Sequence, residues 1–140
     1  MQFEDNTRTR NHYKGVLKYH LIISTKYRRK CLNQIEDIVY ESFKYAEQKS
    51  KMKILNMKLD QDHIHFLIQI PPTVSIGSII GRMKQQSTWY LKENERSYSW
   101  LRNFYWSKKF QVWTHGYFVS TVGDVSEKIV FEYIEKQGMK

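Results

Sequence analysis

The chain has little cysteine, proline or glycine, and it lacks long apolar runs. Its single cysteine, Cys31, excludes an internal disulfide and a zinc site built from several thiolates, which suits a reducing compartment. No apolar run approaches the roughly 20 residues of a membrane-spanning helix, and residues 1–11 are polar, unlike a signal peptide. These absences predict a cytoplasmic protein with no membrane partner. We expect a single domain over residues 1–140, with residues 1–11 as an N-terminal arm.

Acidic residues are outnumbered by basic ones. Lys and Arg total 23 against 14 Asp and Glu, which gives a net charge of +9. An excess of this size favours a polyanionic partner, and 10 Tyr, 7 Phe and 4 Trp supply surfaces on which unpaired bases can stack. The alternative is a basic surface that only keeps the protein solvated. Because the basic residues are clustered, we favour nucleic acid.

Hydrophobic periodicity predicts the fold class. Alternating apolar and polar residues indicate strands at 15–25, 52–59, 63–70 and within 111–122. The last of these regions has a turn at His115-Gly116. Apolar residues at helical spacing indicate helices at 33–50, 75–92 and 124–137. Residues 93–111 are predicted to be irregular. The order β-α-β-β-α-β-α predicts an α+β, ferredoxin-like (RRM-like) antiparallel sheet with helices packed on one face. A C-terminal helix carrying Tyr133 completes it.

One predicted strand carries a pair of histidines. In His63-Ile64-His65 the two imidazoles project from the same face of the strand, where they can converge on one metal ion. Surface or packed histidines would give the same pattern. Asp62 precedes the pair, either to orient an imidazole or simply to form the turn before the strand.

Two further segments suggest contacts with nucleic acid. The first predicted strand is followed by a basic cluster that contains Lys26, Arg28 and Arg29, which suits phosphate contacts but equally suits a solvated loop. The aromatic residues of 93–111 either stack bases or pack over the edge of the domain.

Tyr133 and Gln137 lie four residues apart in the last predicted helix and therefore share one of its faces. Taken singly, a core tyrosine and a solvated glutamine are the simpler interpretations. Together with the histidine pair, they resemble a known family: the single-tyrosine HUH transposases (TnpA type) of the smallest bacterial insertion sequences. The resemblance covers nearly the whole chain and rests on four blocks, Tyr19-His20 with Thr25-Lys26-Tyr27-Arg28-Arg29, Asp62-His63-Ile64-His65-Phe66-Leu67-Ile68, Gly116-Tyr117-Phe118-Val119-Ser120-Thr121-Val122-Gly123 and Tyr133-Ile134-Glu135-Lys136-Gln137.

The resemblance implies an activity and a site. His63, His65 and Gln137 would bind a divalent metal, Mg²⁺ or Mn²⁺, and Tyr133 would attack single-stranded DNA at insertion-sequence ends to form a 5′-phosphotyrosine. It also implies a homodimer and folded DNA hairpins as partners, with no small-molecule substrate. The expected DNA-binding residues are Lys26, Arg28, Arg29, Lys84 and Tyr117.

Two other activities remain open at this stage. One is a catalytically silent repressor that binds hairpin DNA. The other is an RNA-processing nuclease on the same fold that uses histidine and tyrosine without metal.

Overall fold

The computed structural model describes residues 15–123 and 132–136. Its centre is a four-stranded sheet with the strands β1 (Leu17–Ser24), β2 (Lys53–Leu59), β3 (His63–Ile70) and β4 (Phe118–Thr121). The spatial order is β2-β3-β1-β4, and every neighbouring pair is antiparallel. This is the predicted ferredoxin-like arrangement, and the α+β prediction is confirmed.

One face of the sheet carries the main core. The helices α1 (Glu36–Gln48) and α2 (Ile76–Glu93) bury their apolar sides against it. Phe43 of α1 lies edge-on to Phe66 of β3, with 4.9 Å between ring centroids, and 5.4 Å from the ring of Trp113. The apolar residues whose helical spacing predicts these two helices are therefore the ones that pack on the sheet.

The opposite face of the sheet is also covered. Leu67 of β3 forms a second buried cluster with Val122 and Ile134, and Leu55 packs against it. Ile134 belongs to residues 132–136, which are helical. Strand β3, predicted to be half-buried, is consequently buried along almost its whole length.

Local signals explain where the helices begin. Ser75 caps α2, since its side-chain oxygen accepts a hydrogen bond from the Ser78 N–H at 3.2 Å. Strand β3 ends at Ile70, immediately before Pro71 and Pro72, which have no N–H to donate to a sheet.

Two predicted segments differ from the structure. Residues 93–111 were expected to be irregular, but they contain the helix α3 (Glu95–Leu101). Asn94 caps this helix by accepting from the Ser97 N–H at 3.1 Å, and Ser97 Oγ donates to the Leu91 carbonyl at 2.7 Å. The aromatic residues obscured its helical spacing, while the Asn94-Glu95 start was a usable signal.

The last strand region is shorter than predicted. Among residues 15–123 and 132–136, no hairpin forms at His115-Gly116, and β4 spans Phe118–Thr121 and pairs with β1 alone. Upstream of it, Trp113 makes an isolated bridge with Thr25. A strand at the edge of a sheet can pair over only a few residues. The alternation of side chains in the sequence does not show how many residues pair. The predicted arm at 1–11 and most of the predicted helix at 124–137 lie outside the described residues.

Replacement of Phe43 tests the packing of the main core. We expect Phe43→Ala to lower the free energy of unfolding by about 3–5 kcal/mol, because the cavity borders Phe66 and Trp113 and cannot easily close. Urea denaturation would measure the change. Lys44→Ala, at the exposed neighbouring position of α1, should change it by no more than about 0.5 kcal/mol. Similar losses in both variants would contradict this packing.

Candidate active site

The paired histidines lie side by side on β3, on the sheet face opposite α1 and α2. Their ring centroids are 4.9 Å apart and the rings are nearly perpendicular. His63 is partly exposed, whereas His65 is 3% exposed. One imidazole therefore reaches the surface, and the other lies beneath it in the sheet.

Asp62 holds the first of these rings. One carboxylate oxygen lies 2.8 Å from His63 Nδ1, and the other accepts a hydrogen bond from Arg28 Nε at 3.2 Å. Burial alone would raise the pKa of the Asp62 carboxyl, but the hydrogen bonds and charges of His63 and Arg28 lower it overall. An ionised carboxylate at His63 Nδ1 favours the tautomer with its proton on Nδ1, and Asp60 Oδ2 lies 3.9 Å from Nε2.

A third histidine, His20 of β1, belongs to the site and was not predicted as a site residue. Its Nε2 lies 3.2 Å from His65 Nδ1, and the two rings stack at 5.5 Å with an interplanar angle of 10°. Burial lowers the pKa of His20 and so favours the neutral ring. The signal was the alternation of β1, but only the register of Ile22 opposite His65 places His20 beside that ring.

Tyr133 faces the histidines of its own chain. Its ring centroid lies 5.6 Å from that of His65 and 6.1 Å from that of His20, edge-on to both. The side chain is 48% exposed, so its ring borders both the histidines and solvent. The next residue, Ile134, is fully buried in the second core cluster, and Glu135 lies 3.9 Å from Lys58 Nζ. These contacts hold the tyrosine over the sheet.

The donor set suits a divalent ion. His63 Nδ1 lies beside the Asp62 carboxylate and His65 Nδ1 lies beside His20 Nε2, so a polar neighbour positions each ring. Across residues 15–123 and 132–136, no group of three or more His, Cys, Asp or Glu side chains could hold a metal. A third protein ligand would thus have to be of another type or lie elsewhere. Gln137, predicted as that ligand, is outside the described residues.

The basic cluster after β1 forms a kinked turn held by its own side chains. Lys26 Nζ donates to Gln111 Oε1 at 2.9 Å, and Arg29 Nη1 donates to the Phe104 carbonyl at 2.9 Å. Tyr27 and Arg28 have φ values of 63° and 53°, a left-handed conformation that costs roughly 1–2 kcal/mol for each residue. The structure places all three predicted basic residues, Lys26, Arg28 and Arg29, near the Asp62 end of β3.

Lys84 and Tyr117 line a separate groove of about 450 Å³ between α2 and residues 109–117. Lys84 Nζ donates to the carbonyls of Thr114, His115 and Gly116 at 2.7, 2.9 and 3.0 Å. An ammonium group has three N–H donors, so these bonds occupy all of them. Lys84 therefore anchors this loop, a role that its position on the polar side of a predicted helix did not reveal.

The aromatic residues of 93–111 were expected either to stack bases or to pack over the edge of the domain. Most of them pack against the domain. Tyr98, Trp100 and Phe104 pack on the main core, and Tyr105 is buried within it. Trp106 is the exception at 64% exposure. Cys31 is buried next to Tyr105, and burial raises the pKa of its thiol to about 11, so it offers no reactive thiolate.

The chain is similar in sequence to known transposases. The profile of a family described as "Transposase IS200 like" matches residues 13–137. The transposase of insertion sequence IS200 from Salmonella typhimurium is 34% identical over 128 residues, which cover 90% of this chain and 80% of the relative. The ISDra2 transposase TnpA of Deinococcus radiodurans is 25% identical over 122 residues, covering 86% of this chain and 84% of that relative.

Solved structures share the fold. A crystal structure from Deinococcus radiodurans superposes with a TM-score of 0.62 at 22% identity, covering 98% of both chains. A REP-associated tyrosine transposase bound to a REP hairpin gives a TM-score of 0.65 at 12% identity, covering 99% of this chain and 73% of the other.

The fold and the profile define a DNA transposase. More particularly, the chain belongs to the IS200-like family of transposases, which confirms the resemblance drawn from the four sequence blocks. Within the described residues, no helix is long and apolar enough to span a membrane.

Ile134 should determine whether Tyr133 stays at the histidines. Ile134→Ala removes most of a fully buried side chain and should weaken docking of residues 132–136 by about 2–5 kcal/mol. Amide hydrogen exchange of that segment should become correspondingly faster. Glu135→Ala is the matched control, because its partly exposed ion pair with Lys58 is worth less than about 1 kcal/mol. Unchanged exchange in Ile134→Ala would contradict this role.

Proposed function

We propose that this transposase cleaves and rejoins single-stranded DNA through a covalent bond to Tyr133, assisted by a divalent metal. The observation that carries the proposal is the position of the Tyr133 ring against His65 and His20, next to the His63–His65 pair. A nucleophile and two candidate metal ligands then meet at one partly exposed point.

The chain's own residues supply the nucleophile and its setting. Tyr133 Oη would attack a phosphodiester phosphorus; the new bond joins Oη to phosphorus, the bond to the 3′ oxygen breaks, and that oxygen takes up a proton as a 3′-hydroxyl. The phosphate remains on the tyrosine as a 5′-phosphotyrosine. A second 3′-hydroxyl can reverse the step on another strand, so rejoining needs no external energy source.

His63, His65 and Gln137 are the proposed ligands of Mg²⁺ or Mn²⁺. When bound, the ion would polarise the scissile phosphate and offset the negative charge that develops on its oxygens. Two neutral imidazoles and one neutral amide leave the ion its full charge. Asp62 and His20 would act on the ligands rather than on DNA, by holding Nδ1 of His63 and of His65 respectively.

Single-stranded DNA with hairpins at element ends is the proposed substrate. The net charge of +9 and the basic turn at Lys26, Arg28 and Arg29 support a polyanion. The transposase of similar fold that is bound to a REP hairpin supports a folded DNA strand. Tyr117 stays a candidate for a DNA contact in its groove, whereas the carbonyl bonds of Lys84 make direct phosphate contact there unfavourable.

A homodimer is proposed from the stoichiometry of the reaction. One tyrosine makes one covalent link, and joining two DNA ends requires two such links. In the described structure Tyr133 lies against its own chain's histidines, so each protomer would carry an assembled site.

Replacement of Tyr133 tests the chemistry. Wild-type protein with end-labelled single-stranded DNA from a candidate element end should give an SDS-resistant adduct with Mg²⁺ and none with EDTA. Tyr133→Phe should abolish the adduct and leave binding within about twofold, because only the hydroxyl is lost. Tyr45→Phe on α1, a tyrosine remote from the histidines, should keep it.

The other outcomes are equally informative. An adduct that persists in Tyr133→Phe would refute the nucleophile. Tight hairpin binding with no cleavage at any metal concentration would indicate a repressor. Cleavage of RNA that persists in EDTA without an adduct would indicate a nuclease.

His20 provides a separate test of the metal site. His20→Phe keeps a ring but removes the nitrogen that hydrogen-bonds to His65 Nδ1, and it should weaken Mn²⁺ binding roughly 10- to 100-fold. Isothermal titration calorimetry would measure the change. His20→Gln, whose amide oxygen can accept the same hydrogen bond, should recover part of the affinity. Equal affinity in wild type and His20→Phe would show that His20 does not position His65.

A further inference from the structure

The turn after β1 exposes an aromatic surface that the proposed cleavage step does not use. Tyr27 is 71% exposed and Trp106 is 64% exposed, the two most exposed large apolar side chains among the described residues. Both lie against the guanidinium of Arg29, whose central carbon is 5.3 Å from the Tyr27 ring centroid and 5.4 Å from that of Trp106. We call Tyr27, Arg29 and Trp106 the aromatic platform.

We infer that the aromatic platform is a stacking site for an unpaired base of single-stranded DNA. Exposed aromatic faces next to fixed cations are the features with which proteins bind single strands, because every base has a flat apolar face and every nucleotide a negative phosphate. The inference rests on the proposed action on single-stranded DNA, but not on the covalent step at Tyr133.

Neighbouring residues hold the aromatic platform in place. Arg29 is held by its bond to the Phe104 carbonyl and by the ring of buried Tyr105, 5.9 Å away. Tyr105 in turn donates its hydroxyl to the Lys26 carbonyl at 2.8 Å, which ties residues 104–106 to the turn. A pre-formed cation between two aromatic side chains loses little freedom when a ligand binds.

Backbone geometry gives independent support. Tyr27 and Arg28 are consecutive residues in the left-handed region, a backbone conformation that is unfavourable for any residue with a Cβ atom. In this conformation Tyr27 is directed into solvent and Arg28 towards Asp62. Strained backbone of this kind concentrates at functional sites.

The platform also adjoins the proposed active site. Arg28, between Tyr27 and Arg29 in sequence, contacts the Asp62 carboxylate that also holds His63 Nδ1. The Thr25 N–H donates to the Asp62 carbonyl at 2.9 Å, so the turn and the start of β3 form one unit. We therefore expect one bound DNA strand to contact both the turn that carries the platform and the start of β3.

The platform is tested by its affinity for oligo(dT), measured by fluorescence anisotropy in EDTA so that no cleavage occurs. Trp106→Ala and Tyr27→Ala should each raise Kd roughly 5- to 100-fold, as expected for the loss of one stacked base. Trp106→Phe should retain most of the affinity, because it keeps an aromatic face. The dependence of log Kd on log salt concentration should keep its slope in Trp106→Ala, since no cation is removed.

Trp89→Ala is the matched control. Trp89 is 50% exposed on α2 and stacks on Tyr45, away from the turn, so its loss should leave Kd within about twofold. Equal Kd values for Trp106→Ala, Tyr27→Ala and Trp89→Ala would overturn the platform alone. Failure of the unaltered protein to bind oligo(dT) would overturn the platform together with the proposed DNA substrate. The expected losses of affinity in EDTA, together with no Tyr133 adduct in a parallel reaction with Mg²⁺, would support the platform and count against the cleavage mechanism only.

Discussion

The antiparallel pairing of β1 with β3 is the constraint on which the site depends. In this register Ile22 lies opposite His65 and Ser24 opposite His63. The pairing brings His20 against His65, and it places the turn that follows β1 beside Asp62. A shift by one residue would move both histidines to the face that packs on α1 and α2. The same backbone hydrogen bonds therefore stabilise the sheet and assemble the candidate site.

Burial on both sheet faces gives the site its chemistry. The main core beneath β3 fixes the strand, while Leu67, Val122 and Ile134 close the other face and keep Tyr133 near the histidines. The rings of His20 and His65 stack in this region; His65 is buried, His20 and His63 are partly exposed, and Tyr133 is exposed. Metal coordination requires neutral imidazoles, and burial lowers the pKa of His20 beside them.

How far the sequence predicts this structure depends on the range of the interactions. Alternation in 63–70 and helical spacing in 33–50 and 75–92 are local patterns, and they predicted β3, α1 and α2 with the fold class. Helix α3 was missed because Tyr98 and Trp100 were interpreted as loop aromatics and the Asn94 cap was not used. His20 and Lys84 could not be assigned in the same way. The position of His20 beside His65 follows only from the β1–β3 register. Lys84 donates hydrogen bonds to a loop some 30 residues further along the chain.

The central claim is that Tyr133 forms the covalent bond to DNA, and peptide mass spectrometry tests it most directly. After reaction with single-stranded DNA and Mg²⁺, nuclease and trypsin digestion should release the peptide of residues 129–136, in which Tyr133 is the only tyrosine. The account predicts a nucleotide on Tyr133, linked through its 5′-phosphate. A nucleotide on another residue, such as Tyr27 or Tyr117, or a linkage through a 3′-phosphate would contradict it.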